Sequence, residues 1–158
     1  MKKILAIACL IISILILPGF THTAQASNGV NILNKSVYET VQKYARGWDQ
    51  QKPTQVLSTF TADGVYEENE GGFSAANPEE AKKFLEEIFA SVPGSNFRIL
   101  TLTTDGQEAV DLHWEISGFF QGKPYAVQGV DAIQMSGDKI NSVRGYSNPE
   151  DWKKVFGS

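Results

Sequence analysis

The sequence predicts an α+β domain in which helices come first and a long, curved antiparallel sheet follows, with the helices packed on one of its faces. Three observations predict it. Apolar residues recur at helical spacing in the first half, the period changes to 2 from Phe97 onward, and the tight-turn residues Asp105-Gly106, Gly122 and Gly137-Asp138 punctuate the second half. A chain of 158 residues, 42% hydrophobic and 20% charged, is long enough for one domain with its own core. That composition excludes a disordered tail, a collagen-like repeat and a multi-domain machine.

The first segment is set apart from this fold. Lys2 and Lys3 precede an apolar run from Ile4 to Leu17, which Pro18-Gly19 breaks and Ala24-Gln25-Ala26 follows, the layout of a secretory signal peptide. The run is shorter than the roughly 20 residues a helix needs to cross a bilayer, so a cleaved signal is expected and not an anchor. The small residues Ala24 and Ala26 place the cut before Ser27. Residues 1–26 are then the signal, 27–35 a polar lead-in and 36–158 the domain, and the mature protein is expected to be secreted or periplasmic, with no membrane association.

Taking Lys2 and Lys3 from the 14 basic residues leaves 12 against 18 acidic ones, a mature net charge of −6. An acidic chain with scattered bases is a poor ligand for a nucleic-acid backbone. Cys9, the only cysteine, and His22 both fall in the signal, so the mature chain has no disulfide and only His113 among histidines. Cys/His zinc sites and cysteine nucleophiles are thereby excluded, and no metal or cofactor is expected.

The elements follow in order. Ser36 with Glu39 reads as a capping box opening a helix whose inward face is Val37, Val41, Tyr44 and Trp48, flanked by Tyr38 and Ala45. Pro53 ends it and starts a short second helix with Val56, Leu57 and Phe60, before an Ala62-Asp63-Gly64 turn. A brief strand from Val65 to Glu68 runs into a Gly71-Gly72 loop. Asn77-Pro78 opens the third helix, striped by Ala81, Phe84, Leu85, Ile88 and Phe89 and stopped at Val92-Pro93-Gly94. Strands are expected at 97–103, 109–120, 125–135 and 139–146, joined as an antiparallel meander. Asn148-Pro149 introduces a last short helix with Trp152, Val155 and Phe156. A bent sheet closed by helices encloses a cone-like cavity, the kind of concave apolar space where small ligands bind.

Asp131 is the most informative residue because, at period 2, it shares a strand face with Tyr125, Val127, Ile133 and Met135. A carboxyl there is either paired, with a neighbouring hydroxyl or Arg144, or protonated as an acid of the pocket. Tyr44, on a buried helix face, needs a partner for its hydroxyl and reads as a core tyrosine or as a donor to a ligand. Glu68, beside Glu67 and Glu70, reads as part of a solvated acidic face or as a carboxylate at the cavity mouth. His113 alternates with Asp111 and Glu115 and points outward. No calcium-loop spacing accompanies Glu67, Glu68 and Glu70.

From Ser36 to Gly157 the layout resembles the nuclear transport factor 2-like superfamily, in its SnoaL-like and ketosteroid isomerase-like branch. Val41-Gln42-Lys43-Tyr44, Phe60-Thr61-Ala62-Asp63-Gly64-Val65, Gln121-Gly122-Lys123 leading to Gly129-Val130-Asp131, Gly137-Asp138-Lys139-Ile140 and Arg144-Gly145-Tyr146 carry the resemblance through their order and spacing. The resemblance implies that Tyr44 stands in the place of an oxyanion-hole tyrosine, Asp131 in that of a protonated aspartic acid and Glu68 in that of the proton-moving carboxylate, a logic known from ketosteroid isomerases. Glu68 is one methylene longer than the aspartate usual in that family, and Asn69 follows it in place of a proline. The implied function is cofactor-free proton transfer, as in an isomerase or cyclase, on a small hydrophobic carbonyl compound. Trp48, Trp114, Phe119 or Phe120, Val127 and Ile133 are the expected cavity wall. A non-catalytic ligand-binding or assembly module is the alternative. A homodimer is expected through the outer sheet face, where Ala126, Val130 and Ala132 alternate with Gln128 and Gln134.

Overall fold

A computed structural model of the chain describes residues 34–69, 73–75, 77–106 and 108–157. The expected signal at 1–26, with Cys9 and His22, and the Glu70-Gly71-Gly72 stretch lie outside the described residues. Ten elements follow in chain order: α1 (Lys35–Asp49), α2 (Pro53–Leu57), β1 (Phe60–Glu68), β2 (Phe73–Ala75), α3 (Pro78–Ser91), β3 (Asn96–Thr104), β4 (Ala109–Phe120), β5 (Lys123–Ser136), β6 (Lys139–Ser147) and α4 (Pro149–Phe156).

Asn34, not Ser36, caps α1: its side chain accepts from the Ser36 backbone N–H, and the helix begins two residues earlier than a Ser36 cap implies. Asparagine is at least as good a cap as serine, and Glu39 turns instead to Lys35 across one helical turn, at 3.7 Å. The inward face is as spaced, with Val37, Val41, Tyr44, Ala45 and Trp48 buried, while Tyr38 is exposed. Asn77 and Asn148 cap α3 and α4, each with proline at the first helical turn.

The six strands form one curved sheet in the order β2-β1-β6-β5-β4-β3. The meander from β3 to β6 is antiparallel, as its turns require. β1 differs. It begins at Phe60, runs through the Ala62-Asp63-Gly64 stretch expected to be a turn, and lies parallel to β6. The register slips between Phe60 and Val65, so glycine and aspartate here mark an irregularity inside a strand. Further slips between Ile99 and Thr101 and between Gln134 and Met135 add local bends.

The core lies between the inner sheet face and α1, α2 and α3. Tyr44, Tyr66, Leu85, Leu112, Ile133 and Ile140 are its largest fully buried side chains. Within this apolar setting Thr59 and Asp131 are the buried polar side chains among the described residues. Thr59 is satisfied locally, by the carbonyl of Val56 at 2.5 Å. Asp131 is satisfied by two residues far away in sequence, and it fixes the site.

Candidate active site

Asp131, 2% exposed, points from the middle of β5 to the inner face. Its Oδ2 accepts from the Tyr44 hydroxyl of α1 at 2.8 Å, and its Oδ1 accepts from the Trp114 indole N–H of β4 at 2.8 Å. Strand register makes the second bond possible. Trp114 pairs with Gly129 on β5, so the indole lies across a residue without a side chain and meets Asp131 two positions on. A Cβ at Gly129 would collide with that indole and with the Tyr146 carbonyl oxygen.

Glu68 reaches the same floor from the other side. Gly145 of β6 is the register partner of both Glu68 and Asp131, so the three form one row across adjacent strands. The Glu68 carboxylate lies over Gly145, where a Cβ would stand 2.6 Å from Oε1. One strand spacing, roughly 5 Å, therefore separates the backbone beneath the Glu68 carboxylate from the strand that carries Asp131. The Tyr66 hydroxyl, two residues before Glu68 and on the same strand face, donates to its Oε1 at 2.6 Å.

Burial pushes the Asp131 carboxyl up from 3.8 to about 6, against the hydrogen bonds from Tyr44 and Trp114, which favour the anion. Burial also raises Tyr44, helped by the negative charge of Asp131, and raises Tyr66. Both phenols therefore stay neutral donors throughout the ordinary pH range. The Trp48 indole N–H is buried without a hydrogen-bond partner of good geometry, yet it lies close enough to the Tyr44 oxygen to ease that group's ionisation.

Glu68 and Asp131 open onto one cavity of about 200 Å³. Its aromatic wall is Trp48, Tyr66, Phe73, Phe84, Phe97, Trp114 and Trp152, with Ile88, Ile116 and Ser147 completing it. Trp152 closes one side from α4 and is tied to the Ser147 hydroxyl at 2.9 Å. Of the expected wall residues, Trp48 and Trp114 are there. Val127 and Ile133, each 1% exposed, are buried outside the cavity wall. Phe119 is 72% exposed because its odd position on β4 faces outward, and Phe120 meets Phe156 of α4 in a separate cleft.

Tyr44, expected beside Asp131 as a second donor facing the ligand, stands behind it. Its hydroxyl is held by Asp131, and it is absent from the cavity wall. Of the two partners the sequence offered for Asp131, the neighbouring hydroxyl is the one it has, that of Tyr44, whereas Arg144 binds Glu67 at 2.6 Å on the outer face. His113 is exposed, as its alternation implied. Among the described residues no group of three or more His, Cys, Asp or Glu side chains is placed to hold a metal ion. Sequence reasoning missed Tyr66, although its i,i+2 relation to Glu68 was there to be used.

Residues 41–143 match the SnoaL-like domain, a span that includes Tyr44, Glu68, Trp114 and Asp131. The chain belongs to the SnoaL-like domain family. No curated protein matches it in sequence. Solved structures similar to this SnoaL-like domain include a Catenulispora acidiphila protein of ketosteroid isomerase-like fold in complex with trimethylamine, 21% identical, covering 75% of this chain and 92% of that one at a TM-score of 0.68. TerC co-crystallised with polyporic acid is 14% identical over 78% of this chain and 99% of its own, at 0.69. PrhC from Penicillium brasilianum is 14% identical over 77% and 86%, at 0.68. At these identities the likeness is one of fold.

Proposed function

We propose that this SnoaL-like domain binds a small hydrophobic carbonyl compound and moves one of its protons without a cofactor, as an isomerase or cyclase does. The observation that carries the reading is the row Glu68, Gly145, Asp131 on the floor of an aromatic cavity. Glu68, as carboxylate, takes a proton from the carbon beside the carbonyl, and the electron pair left behind moves onto the carbonyl oxygen. Asp131, in its acid form, donates a hydrogen bond to that oxygen. Return of the proton from Glu68 to another carbon completes an isomerisation; in a ring closure the carbanion adds to a second carbonyl carbon of the same molecule, whose C=O π pair moves onto its oxygen and takes up the proton that Glu68 holds. Tyr44 and Trp114 are positioning residues that hold Asp131. That similar folds hold trimethylamine and polyporic acid supports small organic molecules as ligands.

The test is exchange of the α-protons of a hydrophobic ketone in deuterated water, followed by NMR. Exchange should fall about a hundredfold or more in Glu68→Gln, and above about pH 6 it should decline as Asp131 loses its proton. Exchange unchanged by Glu68→Gln would leave the domain as a passive binding module. The proposal extends to export after cleavage before Ser27 and to a homodimer through the outer face of β5, where Ala126, Gln128 and Gln134 are exposed and Val130 and Ala132 half-exposed. The mature mass and light scattering read those two points directly.

A further inference from the structure

We propose that at neutral pH the cavity selects organic cations, hydrophobic molecules carrying a protonated or quaternary amine. The inference rests on the cavity being the ligand site and is independent of the proton-transfer step. The charged residues in its wall are Glu68 and Asp131, both acidic, and among the described residues the wall contains no lysine, arginine or histidine.

Two other acids of the sheet, Glu67 and Glu115, are neutralised in place. Arg144 pairs with Glu67 at 2.6 Å and Arg98 with Glu115 at 2.9 Å. Asp131 is treated differently. Its two oxygens are held by a hydroxyl and an indole N–H, both neutral, and none of the ion pairs among the described residues includes it. A buried carboxylate without a counter-charge is costly, and a ligand that brings the cation relieves that cost.

The remaining wall suits the same ligand. Phe73, Phe84, Tyr66, Trp48, Phe97 and Trp114 form an unbroken arc, each ring centroid 4.0 to 6.4 Å from the next. Aromatic faces attract onium groups and leave their methyl groups in apolar contact, so charge and shape are recognised together. The groups that face Asp131 are Tyr44 from α1, Tyr66 and Glu68 from β1 and Trp114 from β4. With both phenols neutral, the Asp131 carboxyl is the group whose charge a ligand answers.

Phenyltrimethylammonium and tert-butylbenzene have the same shape and differ by a charged nitrogen in place of carbon, so they isolate the charge. Their binding to wild type and to Asp131→Asn at pH 8 and pH 5 can be followed by tryptophan fluorescence, because Trp48, Trp114 and Trp152 line the cavity. The cation should bind about tenfold tighter than the hydrocarbon to wild type at pH 8. The preference should shrink at pH 5, as Asp131 takes up a proton, and in Asp131→Asn at both values. Should Asp131→Asn fail to fold, the wild-type pair of pH values still decides. Equal binding of the two compounds at pH 8 overturns the charge selectivity and leaves the cavity as a ligand site, whereas binding of neither overturns both.

Discussion

Replacing Asp131 with asparagine should change how stability depends on pH, and the structure sets the size of the change. In the folded chain the carboxyl titrates at about 6, whereas an unburied aspartate titrates near 3.8. Between those values the native state holds a proton that the unfolded state has released, so stability falls as pH rises from about 4 to about 6 and is level above. At about 1.4 kcal/mol per tenfold change, the raised value corresponds to roughly 3 kcal/mol lost over that window. The substituted amide cannot ionise. Its carbonyl can accept from Trp114 while its NH₂ donates to the Tyr44 oxygen, which keeps one bond, reverses the other and leaves the Tyr44 hydroxyl proton to find another acceptor, at about 1 kcal/mol. The variant should therefore be slightly less stable than wild type at pH 4 and should overtake it by about 2 kcal/mol at pH 7.5. Urea unfolding followed by circular dichroism at pH 4, 5.5 and 7.5 measures this, and the other titrating groups cancel in the difference. A difference constant with pH, or a wild type that gains on the variant as pH rises, would refute the reasoning, because the hydrogen bonds to the anion would then outweigh its burial.

Two further substitutions test the floor of the cavity. Gly145→Ala puts a methyl group 2.6 Å from Glu68 Oε1; because the clash is with the end of a flexible side chain, stability should change by less than about 1 kcal/mol while ketone exchange falls about a hundredfold, read by thermal melting alongside the exchange assay. Trp114→Phe removes the donor to Oδ1, a charge-assisted bond of about 1.5–3 kcal/mol, so Asp131 should titrate one to two pH units higher by carbon NMR and the decline in exchange should move with it.

Most of the sheet was legible in the sequence because its strongest signals are local. β3 to β6 alternate apolar and polar residues over long runs and are joined by glycine turns, two features that also fix antiparallel register. β1 was half-read because Ala62-Asp63-Gly64 has turn chemistry, and only the sheet around it keeps that stretch extended. β2, three residues long, is too short for any period to show. The parallel pairing of β1 with β6 joins segments about 80 residues apart and leaves no local trace. In the site, Asp131 was visible as a carboxyl on an apolar face and Tyr44 as a phenol on an apolar stripe. That the two would bind each other depends on how α1 crosses the sheet, which spacing along either element does not contain.

The glycines explain why the polar floor takes this form. Gly129 and Gly145 lie inside β5 and β6, where glycine is unfavourable relative to alanine by up to about 1 kcal/mol and contributes no packing of its own. Each instead gives space to a side chain from a neighbouring strand, Trp114 over Gly129 and Glu68 over Gly145. The two displaced side chains converge on the position between them, Asp131. A core shaped by stability alone gains from exchanging a buried carboxyl and its donors for apolar residues of similar volume. Here two strand positions give up their side chains so that a carboxyl can remain, held by neutral donors and open to an aromatic cavity. That arrangement leaves its charge to be answered by whatever enters, and it makes the ligand, more than the fold, the natural partner of Asp131.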